Sequence, residues 1–173
     1  MSSILLSSIA PRTRMPVTHR VAPGKFWVGA QEFDVVQTLL GSCVSVVAWQ
    51  PAEKIGAMCH YMLPSRPAQH RGEALDAMYA EEAFELMLAQ LRRRTSANLR
   101  TFKLHLFGGA KFMRREPTGG TPIGDLNVAF ARDKAKAHSV ILTTQDVLAD
   151  VPRTVTLDTR TGQVSCRRGS PVV

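Results

Sequence analysis

Thr38-Leu39-Leu40-Gly41-Ser42-Cys43-Val44-Ser45-Val46-Val47-Ala48-Trp49 sets two apolar, β-branched runs on either side of a Gly-Ser turn. With the later run Ile55-Gly56-Ala57-Met58-Cys59-His60-Tyr61-Met62-Leu63 it forms a series of strand-sized blocks, 33–40, 44–49 and 55–63, broken by Gly41-Ser42 and by the polar stretch 51–54. Short blocks of this composition between turn residues predict successive strands.

Working outward, 64–72 is a polar, proline-bearing loop, and Ala77, Ala80, Phe84, Met87, Leu88 and Leu91 then recur at helical spacing. Glu81, Glu82 and Glu85 stand early in that segment and Arg92, Arg93 and Arg94 at its end, the polarity that a helix dipole favours. A buried strand is predicted over 103–107, stopping at Gly108-Gly109, where the backbone turns sharply or approaches something closely. A second helix is predicted from Gly124-Asp125 through Leu126, Val128, Ala129 and Ala131 to Ala135, capped by Asp125 or a neighbour. Residues 140–143 are strand-like, and 154–157 and 164–167 flank Asp158-Thr159-Arg160-Thr161-Gly162, a hairpin signature.

The chain has 173 residues, 45% of them hydrophobic and 21% charged, which excludes disorder, collagen and a fibrous rod. Residues 1–20 are rich in Ser, Arg, Pro and Thr without an acidic residue, and are expected to form a disordered basic N-terminal tail before a single domain over 21–173. No apolar run approaches the roughly 18 residues of a membrane-spanning helix, and no basic charge precedes Ile4-Leu5-Leu6 as a secretory signal requires. The expectation is a cytoplasmic protein without membrane insertion. Three cysteines, Cys43, Cys59 and Cys166, form an odd set without C-x-x-C spacing, so a disulfide framework is not expected. The net charge of +8 favours an acidic partner without choosing among nucleic acid, anionic lipid and carboxylate-rich protein.

The turn at Gly41-Ser42 presents Cys43 at a strand end, with backbone N–H groups near Ser42 free to bind an anion. A thiol becomes a strong nucleophile near neutral pH only beside a base or a positive group. Among His19, His60, His70, His105 and His138, His60 lies in the neighbouring run. Strand alternation puts it on the face of Met58 and Met62, opposite Cys59, which makes Cys43 its better partner. The competing reading is structural, because free cysteine is commonly buried packing and a lone histidine on an apolar strand is commonly a hydrogen-bonded core residue. A zinc site from Cys43, Cys59 and His60 lacks the usual ligand spacing.

In this order, Thr38-Leu39-Leu40-Gly41-Ser42-Cys43-Val44-Ser45-Val46, Gly56-Ala57-Met58-Cys59-His60-Tyr61-Met62-Leu63-Pro64, Phe107-Gly108-Gly109-Ala110, Ile123-Gly124-Asp125-Leu126-Asn127 and the hairpin over 157–164 resemble the CheD family of chemoreceptor glutamine deamidases. The G-S-C and H-x-M-L-P blocks at this separation are specific, whereas the glycine pairs alone are weak. The resemblance implies a mixed α/β (α+β) fold, a layered sandwich of mixed β-sheet packed against helices. It also implies a cysteine hydrolase that converts chemoreceptor glutamine side chains to glutamate with release of ammonia, through a thioester and without metal or cofactor. Cys43 matches the nucleophile, His60 its histidine, and Thr38 the third member, although that residue's offset from the cysteine varies within the family. Ser42, Gly108, Gly109 and Asn127 are candidates for oxyanion and substrate binding. The family often carries a glycine-rich connection within 144–153, where this chain has Asp150-Val151-Pro152.

Chemoreceptor cytoplasmic helices are the partner so implied, and a basic face from Arg92, Arg93, Arg94, Lys111, Arg114 and Arg115 would suit their carboxylates. An adaptor that engages a CheC-type phosphatase with weak catalysis is the alternative. A nucleic-acid-binding domain has only the charge in its favour, since aromatics make up 6% of the chain and no stacking pattern appears.

Overall fold

The computed structural model describes residues 14–70, 72–111 and 120–170. Nine strands and two α-helices occur among them, in the order β1 (Thr18–Arg20), β2 (Lys25–Gly29), β3 (Val35–Leu40), β4 (Val44–Gln50), β5 (Ile55–His60), α1 (Ala80–Arg94), β6 (Lys103–Gly108), α2 (Ile123–Ala137), β7 (Leu142–Val147), β8 (Arg153–Asp158) and β9 (Val164–Arg168). The strands make two mixed sheets, one ordered β1-β3-β8-β9 and the other β2-β5-β4-β6-β7. The mixed, layered α+β architecture is the one expected.

Hydrophobic alternation dictates the layering. Val36 and Leu40 of β3 and Val155 and Leu157 of β8 meet Val47 and Trp49 of β4, Met58 of β5 and Phe107 of β6, forming one core between the two sheets. The opposite face of the five-stranded sheet, with Val44, Val46, Ala48, Ala57, Cys59 and Tyr61, is covered by Ala80, Phe84, Met87 and Leu91 of α1 and by Val128 and Ala131 of α2. β4 lies in this middle layer, so every one of its residues is buried and it reads as a continuous apolar run. Burying one large apolar side chain contributes about 1.5 to 3 kcal/mol, and the sheet-to-sheet core is therefore what fixes the distance between side chains that face each other across it.

Several elements depart from the sequence pattern. The tail expected over 1–20 is described only from Arg14, and Thr18–Arg20 at its end is a strand paired in parallel with β3. Asp34 holds it there by accepting hydrogen bonds from Arg14 Nη2 and the Val17 N–H, both at 2.8 Å. β2 likewise lacks a punctuated run of its own and forms by pairing with β5. β7 runs to Val147, beyond the expected 143, because β6 pairs with it in parallel as far as Val147. Asp125 is not a cap: Pro122 precedes α2 without a side-chain cap, and Asp125 sits in the first turn, 3.4 Å from Lys111 Nζ.

The connection from β7 to β8 turns through Leu148 and Ala149 at positive φ and is secured by Arg153, whose side chain is fully buried. Its guanidinium donates to Asp146 Oδ1 at 2.9 Å and to the carbonyls of Leu148 and Val151. Asp146 also takes Arg168, and its carboxyl is held down at about 2, chiefly by the Arg168 hydrogen bond and further by Arg153. Arg153→Met, which keeps volume but strips these partners of their donors, is expected to cost about 2 kcal/mol of stability in urea unfolding followed by circular dichroism. Because Asp146 retains Arg168, a loss well short of a fully broken buried ion pair is expected.

Candidate active site

The chain leaves the four-stranded sheet at Leu40, turns through Gly41 and Ser42, and enters the five-stranded sheet at Val44. Cys43 stands at that crossing, half-buried against the core between the sheets. Its carbonyl accepts the Gly109 N–H at 2.8 Å, and the Gly41 carbonyl accepts that of Ala110 at 3.0 Å. Gly108 has φ +107°, and a Cβ there would overlap the Cys43 carbonyl oxygen. The closeness at Gly108 thus serves the nucleophile candidate's own backbone, while Gly109 and Gly124 make room for each other where α2 begins. Among the described residues, neither the Ser42 nor the Cys43 N–H donates a backbone hydrogen bond.

His60 is the last residue of β5 and is 2% exposed. Val44 and Tyr61 bridge antiparallel, continuing the β4–β5 register in which Val47 faces Met58. Cys43 therefore shares the inter-sheet face with His60 as a diagonal neighbour, a separation of about 7 Å between backbones that long side chains span.

Thr38 comes from the other sheet. It points inward from β3 at 3% exposure, with its Oγ1 2.8 Å from His60 Nδ1 and 2.7 Å from the Val21 carbonyl, to which it donates. A hydroxyl has one proton to give. Since Val21 receives it, His60 Nδ1 must be the donor toward Thr38, which leaves Nε2 with the free lone pair. Nε2 is buried and has no hydrogen-bond partner among the described residues, so the thiol is not engaged with it in this conformation. Burial pushes His60 down to about 4, partly offset by the Val21 backbone hydrogen bond, and burial pushes the Cys43 thiol up. At neutral pH the pair is accordingly an uncharged thiol and an uncharged imidazole.

Asn127 does not join this group. Fully buried on the helix-covered side of the sheet, it donates from Nδ2 to the Met62 carbonyl at 2.8 Å and receives Tyr61 Oη on its own carbonyl at 2.7 Å, tying α2 to the end of β5. Of the proposed basic face, Arg94 is paired with Glu32 at 3.1 Å and Lys111 with Asp125, while Arg114 and Arg115 lie outside the described residues. Sequence reasoning missed the Val21 carbonyl, whose role only the fold exposes. It also missed Ser45, a fully buried hydroxyl without a hydrogen-bond partner among the described residues, two residues from Cys43 on the same strand face and directly across from His60 in the register. A groove of about 610 Å³ opens beside the Thr38–His60 pair, with Thr38, Leu39 and His60 along it, Arg20 on one wall and Thr154 and Arg167 on the other.

Comparison with known proteins bears on this geometry. A family model described as CheD chemotactic sensory transduction matches residues 62–168, a span that begins just after His60. Similar relatives include the probable chemoreceptor glutamine deamidase CheD 1 of Chromobacterium violaceum, 36% identical over 82% of this chain and 72% of its own. Another is the probable chemoreceptor glutamine deamidase CheD 3 of Dechloromonas aromatica, 39% identical over 82% of each chain. A relative of the same description in Albidiferax ferrireducens, CheD 2, is 29% identical over 93% of this chain and 92% of its own. The match extends over more than half of the chain and the relatives over most of it, and on those grounds the chain belongs to the CheD family.

Proposed function

We infer that this protein is a chemoreceptor glutamine deamidase, a cysteine amidohydrolase that converts receptor glutamine side chains to glutamate and releases ammonia. The family membership supports the activity, and the observation that carries the chemistry is the Thr38 hydroxyl, which gives its one proton to Val21 and so fixes His60 with Nε2 as the base. The cytoplasm is where such receptor helices would be met. No helix among the described residues is long and apolar enough to cross a membrane.

In this reading Nε2 takes the proton of the Cys43 thiol as sulfur attacks the glutamine side-chain carbonyl. The Ser42 and Cys43 N–H groups, which donate no backbone–backbone hydrogen bond among the described residues, receive the developing oxyanion. The protonated Nε2 then returns its proton to the amide nitrogen, the C–N bond breaks, ammonia leaves and a thioester remains. Nε2 next accepts a proton from water, whose oxygen adds to the thioester carbonyl. The C–S bond breaks, the thiolate is reprotonated and the product is the glutamate carboxylate. Thr38 keeps the ring oriented throughout and receives the Nδ1 proton's hydrogen bond in both charge states, the part that third members play in related triads. Because that third member is a neutral hydroxyl in a dry site, the imidazolium is short-lived, and catalysis starts from the uncharged pair. An adaptor for a CheC-type phosphatase would need none of this alignment, which favours the catalytic reading.

Incubating the protein with a receptor cytoplasmic fragment and mapping amide-to-acid mass shifts tests the assignment. Conversion is expected with the wild type and lost in Cys43→Ala; conversion that persists would remove Cys43 as the nucleophile. Thr38→Val should retain the fold but lower kcat by about 10- to 100-fold through loss of ring orientation, whereas Thr38→Ser should restore most of it. The pH dependence follows from burial. His60 must be neutral to act as base, so the acid limb of kcat/KM should fall through a pH of about 4 instead of the ordinary histidine range near 6.5. Iodoacetamide should alkylate Cys43 more slowly at pH 7 than it does an exposed free thiol, because burial raises the thiol.

A further inference from the structure

We propose that the Ser45 hydroxyl belongs to the reaction site and, together with His60 Nε2, holds the water that hydrolyses the thioester. This deepens the deamidase reading and rests on it for the identity of the acyl group.

Ser45 lies in β4 with no exposed surface. Val44 and Tyr61 exchange both of their backbone hydrogen bonds, each N–H donating to the other's carbonyl at 3.0 Å. The next pair along the ladder, Ser45 and His60, is therefore a non-hydrogen-bonded one, in which the Cα atoms approach to about 4.5 Å and the side chains stand closest. Phe107 of β6 is level with Ser45 on its other side, Val47 follows two residues along β4, and the facing sheet contributes Val36, Leu40, Val155 and Leu157 to this core. Among the described residues, the polar side chains beside Ser45 on its own sheet face are thus His60, directly across, and Cys43, two residues back.

The imidazole is turned the right way for this. Val21, whose carbonyl takes the Thr38 proton, leads into β2, and β2 and β4 flank β5 on opposite sides. Nδ1 is thereby held toward β2, and Nε2 is left toward β4. Ser45 Oγ and His60 Nε2 are two of four buried side-chain polar atoms without a hydrogen-bond partner among the described residues. Their meeting on one closely spaced strand pair carries the proposal. Buried polar atoms are ordinarily satisfied, and a serine that served only to fill this apolar core would bear an uncompensated desolvation that alanine avoids.

Acylation and hydrolysis make different demands on the site. In acylation the amide nitrogen is tethered to a bound glutamine, so one contact from Nε2 suffices to return the proton. Water is untethered. A single hydrogen bond to Nε2 leaves it free to turn, whereas a second fixes its lone pair on the carbonyl carbon. Water gives one proton to Nε2 and donates its other O–H to Ser45 Oγ, which has two acceptor lone pairs. As its oxygen bonds to the thioester carbon the first proton passes to Nε2. The C–S bond then breaks and that proton moves to sulfur, while the second leaves to solvent as the new carboxyl group ionises.

The test uses full-length wild type and Ser45→Ala with a receptor cytoplasmic fragment, near-UV circular dichroism confirming the fold of the variant. Ammonia release in the first turnover should stay within about twofold of wild type, while steady turnover falls about tenfold or more and a protein–receptor thioester accumulates in the intact mass spectrum. Hydroxylamine, a strong nucleophile that needs no help from a positioned base, should restore the turnover of Ser45→Ala and yield the hydroxamate. Equal loss of first and steady turnover, unchanged steady turnover, or a slowed variant without an accumulated thioester would overturn the role of Ser45, and conversion by the wild type would leave the deamidase reading standing in each case. Absence of any conversion by the wild type would remove that reading and this inference with it.

Discussion

One hydroxyl spans the gap between two sheets. Thr38 and His60 belong to different layers and meet only because the core between those layers sets the sheets at a fixed spacing. The hydroxyl has a single proton, already taken by Val21, so this contact also determines which imidazole nitrogen is basic. Geometry and protonation state are thus set by the same packing, and a change in how the sheets seat on each other alters both together.

Burial acts on the imidazole and the thiol in opposite directions, lowering His60 and raising Cys43, with the same consequence that neither is charged at rest. Such a site avoids holding an ion pair in the interior, which would cost desolvation on both partners. It differs from cysteine sites in which a resting thiolate faces an imidazolium. Among the described residues, His60 Nε2 has no hydrogen-bond partner and the Ser42 and Cys43 N–H groups donate no backbone hydrogen bond, whereas buried polar atoms are ordinarily satisfied.

Much of this was legible from residue order. The strands on either side of Gly41-Ser42, the face shared by Cys43 and His60, and the opposite orientation of Cys59 all follow from the two-residue period, because both faces of that sheet are buried. β1 was not legible: three residues without apolar alternation become a strand only because Asp34 and β3 hold them in place. The function of Asn127 and Gly108 was not legible either, since a buried amide that ties a helix down and a glycine that yields to a carbonyl look, in one dimension, like any site residue. Arg20 and Arg167 are remote in sequence and come to line one groove only through the order β1-β3-β8-β9.

That strand order has a consequence for biosynthesis. β3 carries Thr38 yet is held laterally by β8, which the ribosome makes more than a hundred residues later. Until β8 has emerged from the exit tunnel, Cys43 and His60 are already translated but β3 lacks the lateral support that sets Thr38 against the imidazole. A nascent or prematurely terminated polypeptide therefore holds Thr38 on a strand that lacks its β8 neighbour, and the contact to His60 is completed only near the end of synthesis.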